Sequence, residues 1–143
     1  MQPRGWIVCG SLLAAIGVTL GAYHYHGLDK WLAARQLDAQ TVAKRLDQCD
    51  VAARYQQYHA LAIVLVGLLA LRRPSTWLTA AGYSFLAGVL LFCGPLYLMV
   101  FTGRQLHVVI PLGGAAFIAG WCLTAVAGCH ASAPPADDGP TSP

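Results

Sequence analysis

Long runs without a charged side chain constrain this sequence more than any other feature. Four such runs, of 19, 17, 30 and 21 residues, lie at positions 5–23, 55–71, 74–103 and 108–128. A helix needs about 20 apolar residues to cross the hydrocarbon core of a bilayer, with a range of about 17–25. The sequence therefore predicts an all-α fold, an integral membrane four-helix bundle with spans at about 5–23, 55–72, 76–101 and 107–128.

Composition supports lipid as the main solvent. Hydrophobic residues make up 57% of the 143 residues and charged residues only 10%, whereas soluble domains average about 25% charged residues. The net charge of +3 is small, and basic residues are not clustered, so the pattern typical of nucleic-acid binding is missing. Length fits one membrane domain, residues 1–129. The tail at 130–143 is rich in Pro, Ala and Asp, and we expect it to be disordered.

The first run could also be a cleaved signal peptide, because Arg4 precedes it. The apolar run is longer than a usual signal-peptide core, and no A-x-A-like site follows it. These features favour a retained span.

The third run is too short for two spans, so it predicts one long helix with a bend at Gly94-Pro95.

The segment between the first two runs has a helical pattern of its own. Apolar or small residues recur at i, i+4, i+7 and i+11, namely Val42, Leu46, Cys49 and Ala53. This spacing predicts an amphipathic helix. Such a helix would either lie in the membrane interface or continue into the second span.

Small residues recur within the predicted spans at spacings that let helix backbones approach closely. In lipid, helix pairing depends on such close packing. The candidate helix-packing residues are Gly17, Gly21, Gly88, Gly113, Gly114 and Gly120.

Polar and aromatic residues collect at one predicted membrane face. Four antiparallel spans would bring the end of the first, the start of the second and the end of the third to that face. The opposite face would hold Arg72, Arg73 and several tryptophans, Trp121 among them. We therefore predict a shared ligand-binding site near the first face, formed by His26, Tyr55, Gln56, His59 and Tyr97.

Two interpretations of this site remain open. Histidine can ligate metals or haem, and polar residues within spans are often functional. Yet amphipathic rings also anchor helices in the headgroup region. The predicted spans contain no carboxylate, the two histidines lack the neighbours of a zinc site, and no catalytic motif is present. The five cysteines form no C-x-x-C pair. We predict no metal and no resident cofactor, with haem between His26 and His59 as a weaker alternative.

Four short motifs resemble one known family. They read "GAYHYH", "YQQYHALA", "LFCGPLY" and "IPLGGAAFIAGW", and in order and spacing they resemble the domain of unknown function 423 family, also called transmembrane protein 256-like. The resemblance covers about residues 5–128. It departs from the family pattern at His24, Tyr25, Cys93 and Pro95. It implies a small four-helix membrane fold and a location in a bacterial inner membrane or an organelle equivalent. It implies no established activity.

Three functions follow as hypotheses. The first is a structural or accessory subunit of a larger membrane assembly, without enzymatic activity. The second is a binding protein or small transporter that uses the predicted site for a lipid headgroup, a quinone or another small ligand. The third is a haem-binding redox protein.

Six basic residues on the side of segment 24–54, against three on the side of the termini, favour a cytoplasmic placement of that segment.

Overall fold

The computed structural model describes residues 1–130, which fold into four helices and contain no strand. Consecutive helices run antiparallel. Their bounds are α1 Pro3–Ala33, α2 Ala39–Arg72, α3 Thr76–Thr102 and α4 Ile110–Cys129. Apart from His130, the tail that we predict to be disordered lies outside the described residues.

The helix ends follow from local chemistry. Asp38 caps α2 and accepts a hydrogen bond from the Thr41 backbone N–H at 2.9 Å. The tight turn at Arg73-Pro74 ends α2, and Ser75 Oγ then caps α3 by accepting from the Trp77 N–H at 3.2 Å. Gly103 ends α3 in the left-handed conformation, with φ of 74°.

Helix α2 is much longer than the predicted second span. Its 34 residues correspond to about 51 Å of helix, whereas the bilayer core is about 30 Å thick. The amphipathic segment therefore continues directly into the apolar half of α2. Helix α1 also continues past Tyr23, through a π turn at His24–Leu28, to Ala33.

These two prolongations form a helical hairpin, which we call the extension and define as residues 24–54. The extension packs against the end of α3 around a small apolar core of its own. The fully buried residues of that core are Leu28, Leu32, Cys49 and Val100. The stripe predicted from the sequence thus faces protein, and burial of about 1.5–3 kcal/mol per large apolar side chain stabilises the hairpin.

The main core lies between the other halves of the helices. Helix α1 packs on α2, α2 on α3, and α3 on α4. Trp6 of α1 is 1% exposed and meets the Tyr83 ring of α3 edge-on, with 4.9 Å between centroids. Helices α1 and α4 are peripheral, because only 17% of the most apolar stretch of each is buried, against 44% for α3.

Three helices, α1, α3 and α4, are long and apolar enough to cross a membrane. The polar residues at 55–59 lower the hydropathy of α2.

A π turn at Val89–Cys93 directly precedes Gly94-Pro95 in α3, which then continues to Thr102. The wider turn accommodates the proline, which has no N–H to donate to the preceding turn.

Candidate functional site

His59 lies inside the bundle and is 5% exposed. Its Nδ1 is 2.8 Å from the Tyr55 carbonyl oxygen. Because a carbonyl can only accept, Nδ1 carries the proton and donates it. The other nitrogen, Nε2, then accepts from the Trp121 Nε1–H at 3.4 Å. Both ring nitrogens therefore have partners when the imidazole is neutral.

The His59 ring belongs to a stack of rings from three helices. It lies 3.4 Å from the Phe117 centroid with 10° between the ring planes. Tyr55 stacks on Phe92 at 4.8 Å, and Phe85 meets Trp121 edge-on at 5.1 Å. We call this set the aromatic cluster; its members are Tyr55, His59, Phe85, Phe92, Phe117 and Trp121. It joins α2 to α4 through the face-to-face contact of His59 with Phe117, and α2 to α3 through the stacked contact of Tyr55 with Phe92.

Gln56 joins the same turn of α2 to α1. The side chain is 3% exposed, and its Nε2 donates to the Leu13 carbonyl oxygen at 2.8 Å. Leu13 lies midway along the apolar run of α1. The turn of α2 at residues 55–59 therefore lies level with the middle of α1 rather than with its end.

The structure does not bring His26 to His59. His26 is exposed on the π turn of α1. It follows Leu13 by 13 residues, about 19 Å along a helix, whereas Gln56 beside His59 touches Leu13. The expected meeting assumed that α2 starts near Tyr55, but α2 starts at Ala39. Tyr55 and His59 consequently lie well inside the helix.

Tyr97 also lies apart from His59. It packs against both the main core and the core of the extension. Neither Tyr97 nor His26 is among the ring or hydrogen-bond partners found for His59 in residues 1–130. Tyr97 Oη is buried without a hydrogen-bond partner among the described residues.

The histidines do not suit a shared haem. Two axial histidines must face each other across one macrocycle, but His26 and His59 are far apart along the bundle. Both His59 nitrogens are already engaged, and Phe117 covers one face of the ring. Within residues 1–130, no group of three or more His, Cys, Asp or Glu side chains could hold a metal ion.

Four of the six candidate packing glycines lie against a neighbouring helix. A β-carbon added at Gly17 would lie 2.8 Å from Gln57 Oε1, one at Gly113 2.5 Å from the Phe92 backbone nitrogen, and one at Gly120 2.6 Å from the Phe85 ring. One at Gly88 would overlap the Phe117 ring. At Gly21 and Gly114, an added β-carbon would meet no described atom within 4 Å. These two glycines face away from the other helices of this chain, so the packing expected for them is not seen here.

Sequence reasoning missed most of the aromatic cluster. It placed Trp121 on the membrane face opposite His59, yet the Trp121 Nε1–H lies 3.4 Å from His59 Nε2. A usable signal was the spacing of Phe117 and Trp121. Residues four apart share one helix face, and Gly113 and Gly120 bring that side of α4 onto α3.

Comparison with known proteins gives one consistent result. A family model described as "Protein of unknown function (DUF423)" matches residues 20–114. The chain is 34% identical to the UPF0382 membrane protein YwdK of Bacillus subtilis, over 85% of this chain and 94% of that protein. It is 30% identical to the UPF0382 inner membrane protein YgdD of Escherichia coli, over 88% and 90% respectively. A UPF0382 membrane protein of Haemophilus influenzae is 36% identical, over 73% and 77%. No solved structure matches the chain.

Proposed function

The chain belongs to the DUF423 family of membrane proteins, and from that premise we propose that it is a structural or accessory subunit of a larger membrane assembly. In this proposal the chain crosses the bilayer four times, and residues 55–72 of α2 form the second span. The Escherichia coli relative is named an inner membrane protein, and this name supports the same placement for the chain.

The outer face of α4 carries this proposal. Ala115, Ala119 and Cys122 recur at i, i+4 and i+7 and are exposed. Lipid-facing helices gain little from small side chains, whereas helix–helix contacts in membranes are enriched in them. Large side chains are exposed on both peripheral helices, among them Leu12 and Ile16 of α1 and Leu112 and Ile118 of α4, so the proposal rests on the spacing of the small residues of α4. We therefore propose that α4 packs against a transmembrane helix of a partner protein.

The test is affinity capture of the full chain from membranes in mild detergent, with mass spectrometry of what is retained. Ala115→Leu/Ala119→Leu should abolish retention of the partner, because two bulky side chains would hold the backbones apart. The matched control is Ala15→Leu/Ala22→Leu, which makes the same change at exposed alanines of α1. Equal retention by wild type and the α4 variant would refute the proposed α4 contact. Loss only in the control would move the contact to α1.

Native Cys122 allows a second test in intact membranes. It is exposed on the same face of α4, so a variant with Cys122 as its only cysteine can be treated with an oxidant or a short bifunctional thiol reagent. A crosslinked species containing a second protein supports the proposal. A crosslinked species of twice the chain mass would instead assign this face to a second copy of the chain.

Binding of a small polar ligand remains a second candidate function. Three buried polar atoms have no hydrogen-bond partner among the described residues: His24 Nδ1, Gln57 Oε1 and Tyr97 Oη. Buried polar atoms are normally hydrogen-bonded, and a bound molecule such as a quinone or a lipid headgroup could satisfy them. Native mass spectrometry of wild type and of Gln57→Leu/Tyr97→Phe tests this. A small molecule retained by wild type and lost from the variant would support it, and two unliganded species would refute it.

A further inference from the structure

We propose that a basic cavity at the junction of α2 with the end of α3 binds the phosphate group of an anionic lipid headgroup. The cavity measures about 100 Å³, which suits a headgroup phosphate rather than a large ligand. It lies at the end of the bundle opposite the termini. The residues that line it are Thr41, Lys44, Arg45, Gln48, Met99, Gly103, Arg104 and Gln105.

Arg45 is the fixed element of this cavity. Its Nη1 donates to the Val100 carbonyl oxygen at 3.1 Å, near the end of α3. This bond holds the guanidinium beside Gly103, where an added β-carbon would lie 2.6 Å from Nη2. The remaining N–H groups of the guanidinium are oriented in advance, and guanidinium geometry matches a phosphate well.

The lining of the cavity is positively charged. Lys44 and Arg104 are exposed at its rim, and no lining residue is acidic. The nearby Asp38 carboxylate keeps its negative charge but is not a lining residue, and the Thr41 N–H and hydroxyl hold it at the start of α2, at 2.9 and 2.7 Å. Within residues 1–130, the ion pair found joins Arg54 to Asp50 and involves no cavity residue. Three cations therefore converge where no carboxylate of the lining neutralises them.

The position of the cavity along the membrane normal indicates that the phosphate belongs to a lipid. Arg45 precedes Arg72 by 27 residues, about 40 Å of helix. A bilayer measures about 30 Å across its hydrocarbon core and about 40–45 Å with both headgroup layers. If Arg72 lies at one core edge, the basic side chains reach the headgroup layer on the other side. This step rests on the four-span arrangement proposed above.

The experiment is native mass spectrometry of the purified full chain from mixed micelles of phosphatidylcholine and phosphatidylglycerol. Wild type should retain phosphatidylglycerol preferentially. Lys44→Gln/Arg104→Gln should weaken this retention by about tenfold or more, because charge-assisted contacts to phosphate are lost. Lys30→Gln/Arg35→Gln is the matched control. It removes two positive charges from the same side of the protein, at exposed positions outside the cavity, and should retain phosphatidylglycerol like wild type.

Three results would overturn the proposal. Equal weakening by both variants would mean general attraction to a basic surface. No preference for phosphatidylglycerol in wild type would mean that the cavity takes no lipid phosphate. Displacement of phosphatidylglycerol by about 10 mM inorganic phosphate, a concentration well below the level at which screening alone acts strongly, would assign the cavity to a soluble phosphate. Because the readout needs no partner protein, it is independent of whether the protein is an accessory subunit.

Discussion

At the scale of single residues, the neutral His59 ring donates to the Tyr55 carbonyl oxygen and accepts from the Trp121 indole N–H. We predict that His59→Leu lowers the free energy of unfolding by about 1–3 kcal/mol, because it removes the acceptor of the Trp121 N–H and the ring that stacks on Phe117. His59→Gln should cost less, since an amide can still offer an acceptor. Thermal unfolding in detergent measures both changes.

Tyr58 provides the control for His59, because it lies one residue away on α2 and is 58% exposed. Tyr58→Leu should change stability by no more than about 0.5 kcal/mol. If His59→Leu were as stable as wild type, the hydrogen bond to Trp121 and the stack on Phe117 would contribute nothing measurable.

Two adjacent glycines in α4 make a second prediction at this scale. A β-carbon at Gly113 would press on the backbone of the π turn in α3, which cannot rotate away, whereas Gly114 has open space. Gly113→Ala should therefore destabilise the protein by about 1–3 kcal/mol. Gly114→Ala should be neutral or stabilise it by up to about 1 kcal/mol through helix propensity. Denaturant titration of the two variants in one detergent compares them directly, and equal effects would contradict the packing of α4 on the π turn.

At the scale of elements, the sequence was most informative about the bounds of the apolar helices α3 and α4 and least informative about the contacts between helices. Charge-free runs located α3 and α4 closely, because lipid demands a continuous apolar helix whatever its neighbours are. Residues 55–59 resemble an interfacial belt in sequence. Only the contact of Gln56 with Leu13 and of His59 with Trp121 shows that Gln56 and His59 are interior. Such long-range contacts leave no local trace, so the predicted site combined residues that lie at different depths.

The core of the extension yields a pH-dependent prediction at Cys49. Burial, with a smaller effect of the Asp50 carboxylate, raises the pKa of the Cys49 thiol from 9.0 to about 11. Between these pH values the unfolded chain releases the thiol proton and the folded chain keeps it. The folded state then binds more protons, so stability falls as pH rises through this window.

Cys49→Ala isolates this effect. As the pH rises from about 8 to about 10.5, the free energy of unfolding of wild type should fall relative to that of Cys49→Ala. In a variant with Cys49 as its only cysteine, iodoacetamide should react slowly with the native protein at pH 8 and fully after unfolding in sodium dodecyl sulfate. A variant with only Cys129, which is exposed, should react without unfolding. Rapid native labelling of Cys49 would mean that the hairpin opens readily.

At the scale of the whole molecule, the long α2 makes the protein asymmetric across the membrane. In the four-span arrangement that we propose, the apolar halves of the helices fill the bilayer, and the extension carries charged residues beyond one surface. Basic residues are divided unequally between the two sides: the side of the extension has Lys30, Arg35, Lys44, Arg45, Arg54 and Arg104, and the side of the termini has Arg4, Arg72 and Arg73. Because positively charged loops are retained in the cytoplasm, we predict a cytoplasmic extension and termini on the outer side.

Labelling with a membrane-impermeant maleimide tests this orientation. In a background without the native cysteines, Arg4→Cys should react in intact cells, whereas Lys30→Cys should react only after the membrane is permeabilised. Both positions are exposed, so a failure to react reports the membrane barrier and not burial in the fold. Reaction of both variants in intact cells would place Arg4 and Lys30 on one side, and α1 would then not cross the bilayer. The reverse pattern would keep four spans and invert the orientation, because the number of crossings and their direction depend on different residues.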